Sequence, residues 1–259
     1  MRTFATLMLC ALLSLGLSGC VSQRTVDGKD QPAQQFDANE AARTRLALGL
    51  QYLRAGNFTQ ARANLERARD FAPRMPEIYT GLAFYFQQVQ EYGQAEQNYR
   101  YALRLKPDDG DTLNNLGVLL CSQSRPDEAD ELFNKAIAQT NYVRVADTYE
   151  NAALCAADHN RYKSAENYYK LALNHSPNNV EILESYARML LKLRRFSDTE
   201  VVLARRAAQP RLTAEYLWLE VQLAEVQRKP AKRAQFAELL QARFPTSGQA
   251  QQLKDESYE

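Results

Sequence analysis

Leu65-Glu-Arg-Ala-Arg-Asp-Phe-Ala-Pro73 and Arg100-Tyr-Ala-Leu-Arg-Leu-Lys-Pro107 close two stretches of the chain in the same way. Asn134-Lys-Ala-Ile-Ala-Gln-Thr-Asn141 repeats the pattern with asparagine in place of proline, and Lys170-Leu-Ala-Leu-Asn-His-Ser-Pro177 closes a fourth stretch. Positions 73, 107 and 141 are 34 residues apart, and the fourth stop arrives two residues late. Proline just past an apolar-periodic run is a helix stop. A fixed period of this size means that one supersecondary unit is repeated, each burying its apolar face against the next.

Outward from these stops, the same residue types return at fixed places. The unit 42–75 has Leu48, Gly49, Tyr52, Ala61, Leu65, Ala68 and Pro73; the unit 76–109 has Tyr79, Leu82, Ala83, Phe86, Ala95, Tyr99, Ala102 and Pro107. The unit 110–143 has Leu113, Leu116, Gly117, Leu120, Ala129, Phe133 and Ala136; the unit 146–179 has Tyr149, Ala152, Ala153, Ala165, Tyr169, Ala172 and Pro177. The pattern weakens in 180–213, where Thr199 and Arg206 stand at places otherwise small. In 214–245 it survives mainly as helical periodicity and Pro245. Small residues at the eighth and twentieth places let two helices touch closely, and the small twenty-seventh place admits the next hairpin. Turn signals separate the paired helices: Gly56-Asn57, Gln90-Glu91, Arg125-Pro126, Asn160-Arg161 and Arg194-Arg195. The units resemble tetratricopeptide repeats, which implies an all-α, right-handed superhelical stack of about six helix-turn-helix repeats over 38–250, with Leu48 and Tyr52 among the core residues of the first.

The ends read differently. Residues 1–19 have the form of a secretory leader, with Arg2 followed by an apolar run too short to span a bilayer. Leu17-Ser18-Gly19-Cys20 resembles a lipobox, which implies diacylation of Cys20 and anchoring to a membrane. Val21 is not the aspartate that resembles an inner-membrane retention signal, so the expected location is the outer membrane, facing the periplasm. Residues 20–37 are polar, carry Gly28 and Pro32, and read as a flexible, strandless tether; 251–259 reads as a charged tail.

Composition excludes more than it assigns. There are 32 Lys+Arg and 31 Asp+Glu, and Arg2 leaves with the leader, so the mature chain is balanced and has no footprint for nucleic acid. The chain has 2 histidines: His159 falls in a turn and His175 at a helix end, and neither is read as a metal ligand. No phosphate loop or nucleophile elbow is present, and no enzyme activity, cofactor, metal or small-molecule substrate is expected. Once Cys10 and Cys20 are set aside, Cys121 and Cys155 remain at the twelfth and tenth places of consecutive first helices. They are either a disulfide or two small buried hydrophobes.

In such a stack the first helix of each hairpin lines the concave, ligand-binding surface. Its inward places in the first unit are Arg43, Leu46, Leu50 and Leu53, and in the second Glu77, Thr80, Phe84 and Gln87. Units three and four read as more polar there, with Asp111, Asn114, Asp147 and Glu150 beside Val118 and Leu154. Leu46, Leu50, Leu53 and Phe84 are therefore the candidate partner-binding residues. With the lipobox at Cys20, about six repeats directly after a short tether, the stretch Tyr149-Glu-Asn-Ala-Ala-Leu-Cys155 and Cys121, the whole chain resembles the pilotin lipoproteins of type IV pilus biogenesis, of the PilF and PilW type. That resemblance implies a scaffold that binds the pilus secretin subunit and promotes its outer-membrane localisation and multimerisation, supporting pilus assembly and twitching motility. The competing reading is a lipoprotein adaptor that recruits an envelope peptidase or peptidoglycan enzyme.

The anchor makes a first prediction. Cys20→Ser is expected to release the protein from the membrane fraction while the helical circular-dichroism signal of the purified chain stays unchanged. Full membrane retention of the serine variant would overturn the lipoprotein reading.

Overall fold

The computed structural model describes residues 25–26, 29–30 and 36–255. Cys20 and the leader lie outside them. Among the described residues there are thirteen α-helices and one two-stranded ladder. The hairpins are α1 (Ala38–Arg54) with α2 (Phe58–Phe71), α3 (Pro76–Gln88) with α4 (Tyr92–Leu105), and α5 (Gly110–Ser122) with α6 (Pro126–Ile137). They continue with α7 (Val145–Asp158) and α8 (Tyr162–His175), α9 (Val180–Lys192) and α10 (Phe196–Ala207), and α11 (Ala214–Val226) and α12 (Pro230–Arg243). A last helix, α13, runs over Gly248–Asp255. No helix of the described residues is long and apolar enough to cross a membrane. The chain is an all-α superhelical stack of helical hairpins.

Close packing at the small places holds each hairpin together. Ala61, Ala95, Ala129 and Ala165 are fully buried, as are Ala68, Ala136 and Ala172. At Gly49 an added methyl would sit 2.7 Å from Leu65 Cγ, and at Gly117 it would sit 2.7 Å from the Phe133 ring. Such distances leave no room for a side chain. Helix entry is also local: Asp37, Asn57, Asp109, Asn179 and Thr213 each cap a helix by accepting backbone N–H bonds.

The turns inside the hairpins share a conformation. Gly56, Gln90, Ser124, Asn160, Arg194 and Arg228 all have φ between 55° and 72°, and each is the fifteenth residue of its unit. Only the first unit meets that left-handed requirement with glycine. The next residue carries charge across the unit boundary. Arg125 reaches Glu96 (2.8 Å), Arg161 reaches Asp127 (2.6 Å), Arg195 reaches Glu166 (2.6 Å) and Lys229 reaches Glu200 (3.4 Å). The turn that reverses one hairpin thus clamps the hairpin before it.

Four expectations from the sequence need correction. Residues 25–30 are not strandless: Thr25–Val26 pairs antiparallel with Lys29–Asp30, and the sequence between them, Asp27-Gly28, is a pair that favours two-residue hairpin turns. The segment 251–259 is not a charged tail throughout, because 251–255 belong to α13, whose Ala250 and Leu253 are buried and which packs on α11 and α12. It covers the last hairpin as a cap. Leu48 and Tyr52 are not enclosed: Leu48 is half-buried and Tyr52 is exposed. Their counterparts Leu82 and Phe86, and Leu116 and Leu120, are buried because a preceding unit covers them, whereas among the described residues no helical unit precedes α1.

The fourth is Arg206, which occupies a small-residue place yet is 1% exposed. Its Nε donates to Glu184 Oε1 at 2.6 Å, its Nη2 donates to the Arg211 carbonyl, and its guanidinium stacks over Tyr216 at 4.9 Å. Thr213 Oγ1 donates to the same Glu184 oxygen. A buried, hydrogen-bonded ion pair there fills the space that alanine leaves open to the next hairpin elsewhere.

Arg195 and Lys170 together hold the Glu166 carboxyl down to about 2, well below the ordinary carboxylate range. A carboxylate depressed in the folded state contributes stability above its unfolded pKa of about 4.3, and that contribution is lost as pH falls through the folded value. Glu166→Gln is therefore expected to lower the thermal midpoint at neutral pH and to flatten its fall between pH 4.5 and pH 2. An unchanged acid slope in the variant would show that this clamp carries no measurable linkage.

Candidate functional site

First helices line the inner side of the stack, since α1 touches α3, α5 touches α7, α7 touches α9 and α9 touches α11 in addition to their own hairpin partners. The ninth place of the first four units runs along this side as Leu50, Phe84, Val118 and Leu154. Phe84 is 38% exposed, and Leu50, Val118 and Leu154 are half-buried. Leu46 and Leu50 lean together over Gly81 of α3: a methyl there would meet Leu46 Cδ1 at 3.0 Å and Leu50 Cδ2 at 3.5 Å. The missing side chain at Gly81 thus seats the two leucines next to the helix that bears Phe84.

Two expectations about this surface change. Leu53 is 5% exposed and belongs to the core of the first hairpins. It stands three residues after Leu50, and that step rotates it from the groove toward α2 and α3. Leu53 is therefore not a partner-binding residue. The third and fourth units are also less polar on this face than their sequence implies. Asn114 is buried, accepting a hydrogen bond from Asn151 Nδ2 at 2.9 Å, so it does not form part of the open surface. Val118 and Leu154, both half-buried, continue the apolar floor into the third and fourth units, where they line an open cavity of about 420 Å³ with Ser122, Ser124, Asn151, Cys155, Asp158 and His159.

An acidic row borders that floor. The second places carry Glu77, Asp111, Asp147, Glu181 and Glu215. Asp111 and Asp147 share Arg144, at 3.2 and 3.1 Å, while Glu181 binds Arg211 and Glu215 binds Arg188. Glu150 sits deeper, accepting from Ser185 Oγ at 2.9 Å, and burial pushes its carboxyl above the ordinary range. The groove is an apolar channel with one charged bank, suited to holding a polypeptide.

Cys121 and Cys155 are joined, with sulfurs 2.13 Å apart and Cα atoms 5.8 Å apart. The bridge ties α5 to α7 across the boundary where two extra residues and Asn141 interrupt the repeat. His159 stands beside it, with Nδ1 3.9 Å from Cys121 Sγ. In the sequence His159 falls in a turn, four residues after Cys155. Residues four apart on a helix share a face, so Cys155 and His159 meet at the end of α7. His175, by contrast, stacks on Tyr149 at 5.6 Å.

The tetratricopeptide-repeat pattern matches residues 46–86 and 108–178. An uncharacterized protein of Haemophilus influenzae is 33% identical over 156 residues, covering 60% of this chain and 83% of that protein. The type IV pilus assembly protein PilF of Pseudomonas aeruginosa is 28% identical over 246 residues, 95% of this chain and 96% of PilF. Its solved structure superposes with a TM-score of 0.69 at 27% identity, over 85% of this chain and 99% of that one. The structure of PilW, a type IV pilus biogenesis factor, gives a TM-score of 0.73 at 26% identity, over 83% of this chain and 99% of that one.

The bridge carries its own test. Closing a span of 34 residues stabilises a fold by about 3–4 kcal/mol through the unfolded chain. Cys121→Ser is expected to lower unfolding stability by an amount of that order, and intact-mass analysis after non-reducing denaturation and alkylation of the native sequence should find neither Cys121 nor Cys155 labelled. The chain is a tetratricopeptide-repeat protein that resembles the PilF and PilW proteins of type IV pilus biogenesis.

Proposed function

We propose that this protein is a pilotin of type IV pilus biogenesis, anchored to the outer membrane by lipid on Cys20, whose groove binds the pilus secretin subunit and promotes its multimerisation. Likeness to PilF along nearly the whole of both chains supports the pilus setting. The observation that carries the binding mode is Phe84, an aromatic ring 38% exposed on the inner side of the stack, with the half-buried Leu46 and Leu50 beside its helix. An exposed ring backed by leucines is what an apolar segment of a partner would cover. Burying two such side chains contributes roughly 3–6 kcal/mol before ordering costs. The arginine pairs along the acidic row fix the edge of the channel and leave its floor as the source of affinity. The role is that of a scaffold, in which position and contact replace catalysis.

Leu50→Asp combined with Phe84→Ser is expected to keep a cooperative helical melt and to abolish secretin multimers in envelope extracts. Because Leu50 is partly packed, Phe84→Ser alone serves as the milder variant and should reduce multimers without moving the melt. Normal multimers in both folded variants would place the guest elsewhere. Capture on the native protein from detergent-solubilised envelopes should recover the secretin; a peptidase or peptidoglycan hydrolase without secretin would instead support an adaptor for envelope enzymes.

A further inference from the structure

The corner where units three and four meet gathers the chain's two bonded cysteines and one of its two histidines at a single point. The two sulfurs and a ring nitrogen of His159 lie within 4.8 Å of one another. Three features of the fold bring them together. Cys121 and Cys155 stand on neighbouring first helices. His159 caps α7, and its backbone N–H donates to the Cys155 carbonyl at 3.2 Å. Its ring is held as well, with Nδ1 2.9 Å from the same carbonyl oxygen. A carbonyl oxygen only accepts, so Nδ1 carries the hydrogen and donates while the disulfide is closed.

We propose that reduction of the Cys121–Cys155 disulfide converts this corner into a binding site for a divalent cation of the zinc type, ligated by Cys121 Sγ, Cys155 Sγ and His159 Nδ1. A dithiol reductant supplies two electrons and two protons, leaves as its own disulfide, and yields two thiols in the protein. Binding of the cation releases both thiol protons. The imidazole stays neutral, and its hydrogen moves from Nδ1 to Nε2 as Nδ1 turns from the carbonyl to the metal. Tetrahedral zinc with bonds of about 2.3 Å to sulfur and about 2.0 Å to nitrogen keeps its donors roughly 3.5–4 Å apart. Cys121 Sγ and His159 Nδ1 already stand 3.9 Å apart, so the main change is separation of the two sulfurs by less than the width of an atom.

The surroundings suit such an ion. Cys155 is buried, while Cys121 and His159 are partly open, so a cation has a route in. The three ligands border the cavity of about 420 Å³ beside Val118 and Leu154, which leaves the fourth coordination position facing the groove. Two thiolates and one imidazole favour zinc-class ions over magnesium or calcium, which take oxygen donors. In either redox state the same residues cross-link α5 to α7: covalently when oxidised, through the cation when reduced.

The test uses the full chain with Cys10→Ser and Cys20→Ser, leaving Cys121 and Cys155 as the only thiols. Reduced with a phosphine and titrated with Co2+, it should develop a thiolate-to-cobalt charge-transfer band that saturates at one ion per chain and is displaced by Zn2+. The oxidised chain should show no band, and His159→Ala should weaken binding on the order of tenfold or more. Zn2+ should also raise the melting temperature of the reduced chain and not that of reduced His159→Ala. Should reduction alone melt the helices, Zn2+ must restore them in the native sequence and fail to do so in His159→Ala. Absence of the band in the reduced chain, or equal affinity and equal thermal shifts with and without His159, overturns the proposal.

Discussion

Two helices in each hairpin approach so closely that the contact residue must be nearly bare, and the rest of the molecule depends on that approach. Where Gly117 meets the Phe133 ring there is no space for a methyl, and the fully buried alanines of the second helices repeat the constraint through the first four units. Close pairs of helices leave their large apolar residues projecting toward neighbouring hairpins. The core is therefore made between units as much as within them, and it passes through the stack without a break. The groove follows from the same geometry, because first helices drawn together on one side line up their inward places from unit to unit.

Much of this was legible in the sequence because the small residues recur at a fixed distance from a helix stop. Ala68, Ala102 and Ala136 announce the second helices, and Gly49 and Gly117 announce where the first helices meet them. The left-handed turn residue was hidden, since only Gly56 advertises it and Gln90, Ser124, Asn160, Arg194 and Arg228 do so only by their place. Arg125, Arg161 and Arg195 read as turn polarity, while their bonds to acids of the preceding unit depend on three-dimensional adjacency. Arg206 looked like decay of the repeat. Its partner Glu184 lies 22 residues earlier, and nothing local predicts that a charge will be buried there beside an opposite one.

The inner face of the stack was legible in part. Leu46, Leu50 and Phe84 fall where the inward places predict, but Leu53 turns into the core because the true stripe is narrower than a tally of apolar residues implies. Asn114 misled in the opposite sense, since a buried, hydrogen-bonded amide looks polar in sequence and leaves the face apolar in space. Cys155 and His159 show a third kind of failure. Cys155 is read against Cys121, to which it is bonded, and His159 as a turn residue, so their adjacency one helical turn apart goes unread.

The ladder of turn cations does not reach the first boundary. At the place held by Arg125, Arg161, Arg195 and Lys229 the second unit has Glu91, whose carboxylate accepts from Gln94 of its own helix, and the facing position of the first unit is Arg62, paired with Glu66. Exposed pairs of this kind each contribute little, but an array of repeats is only as cooperative as its boundaries. The leading hairpin is thus joined to the rest chiefly by apolar contact, and among the described residues no hairpin covers its outer side. A guest lying across Leu50 and Phe84 spans that same boundary. Occupancy would then act as a splint, lengthening the stretch of array that behaves as one rigid rod and giving the protein two mechanical states, slack at the leading end when empty and stiff when loaded.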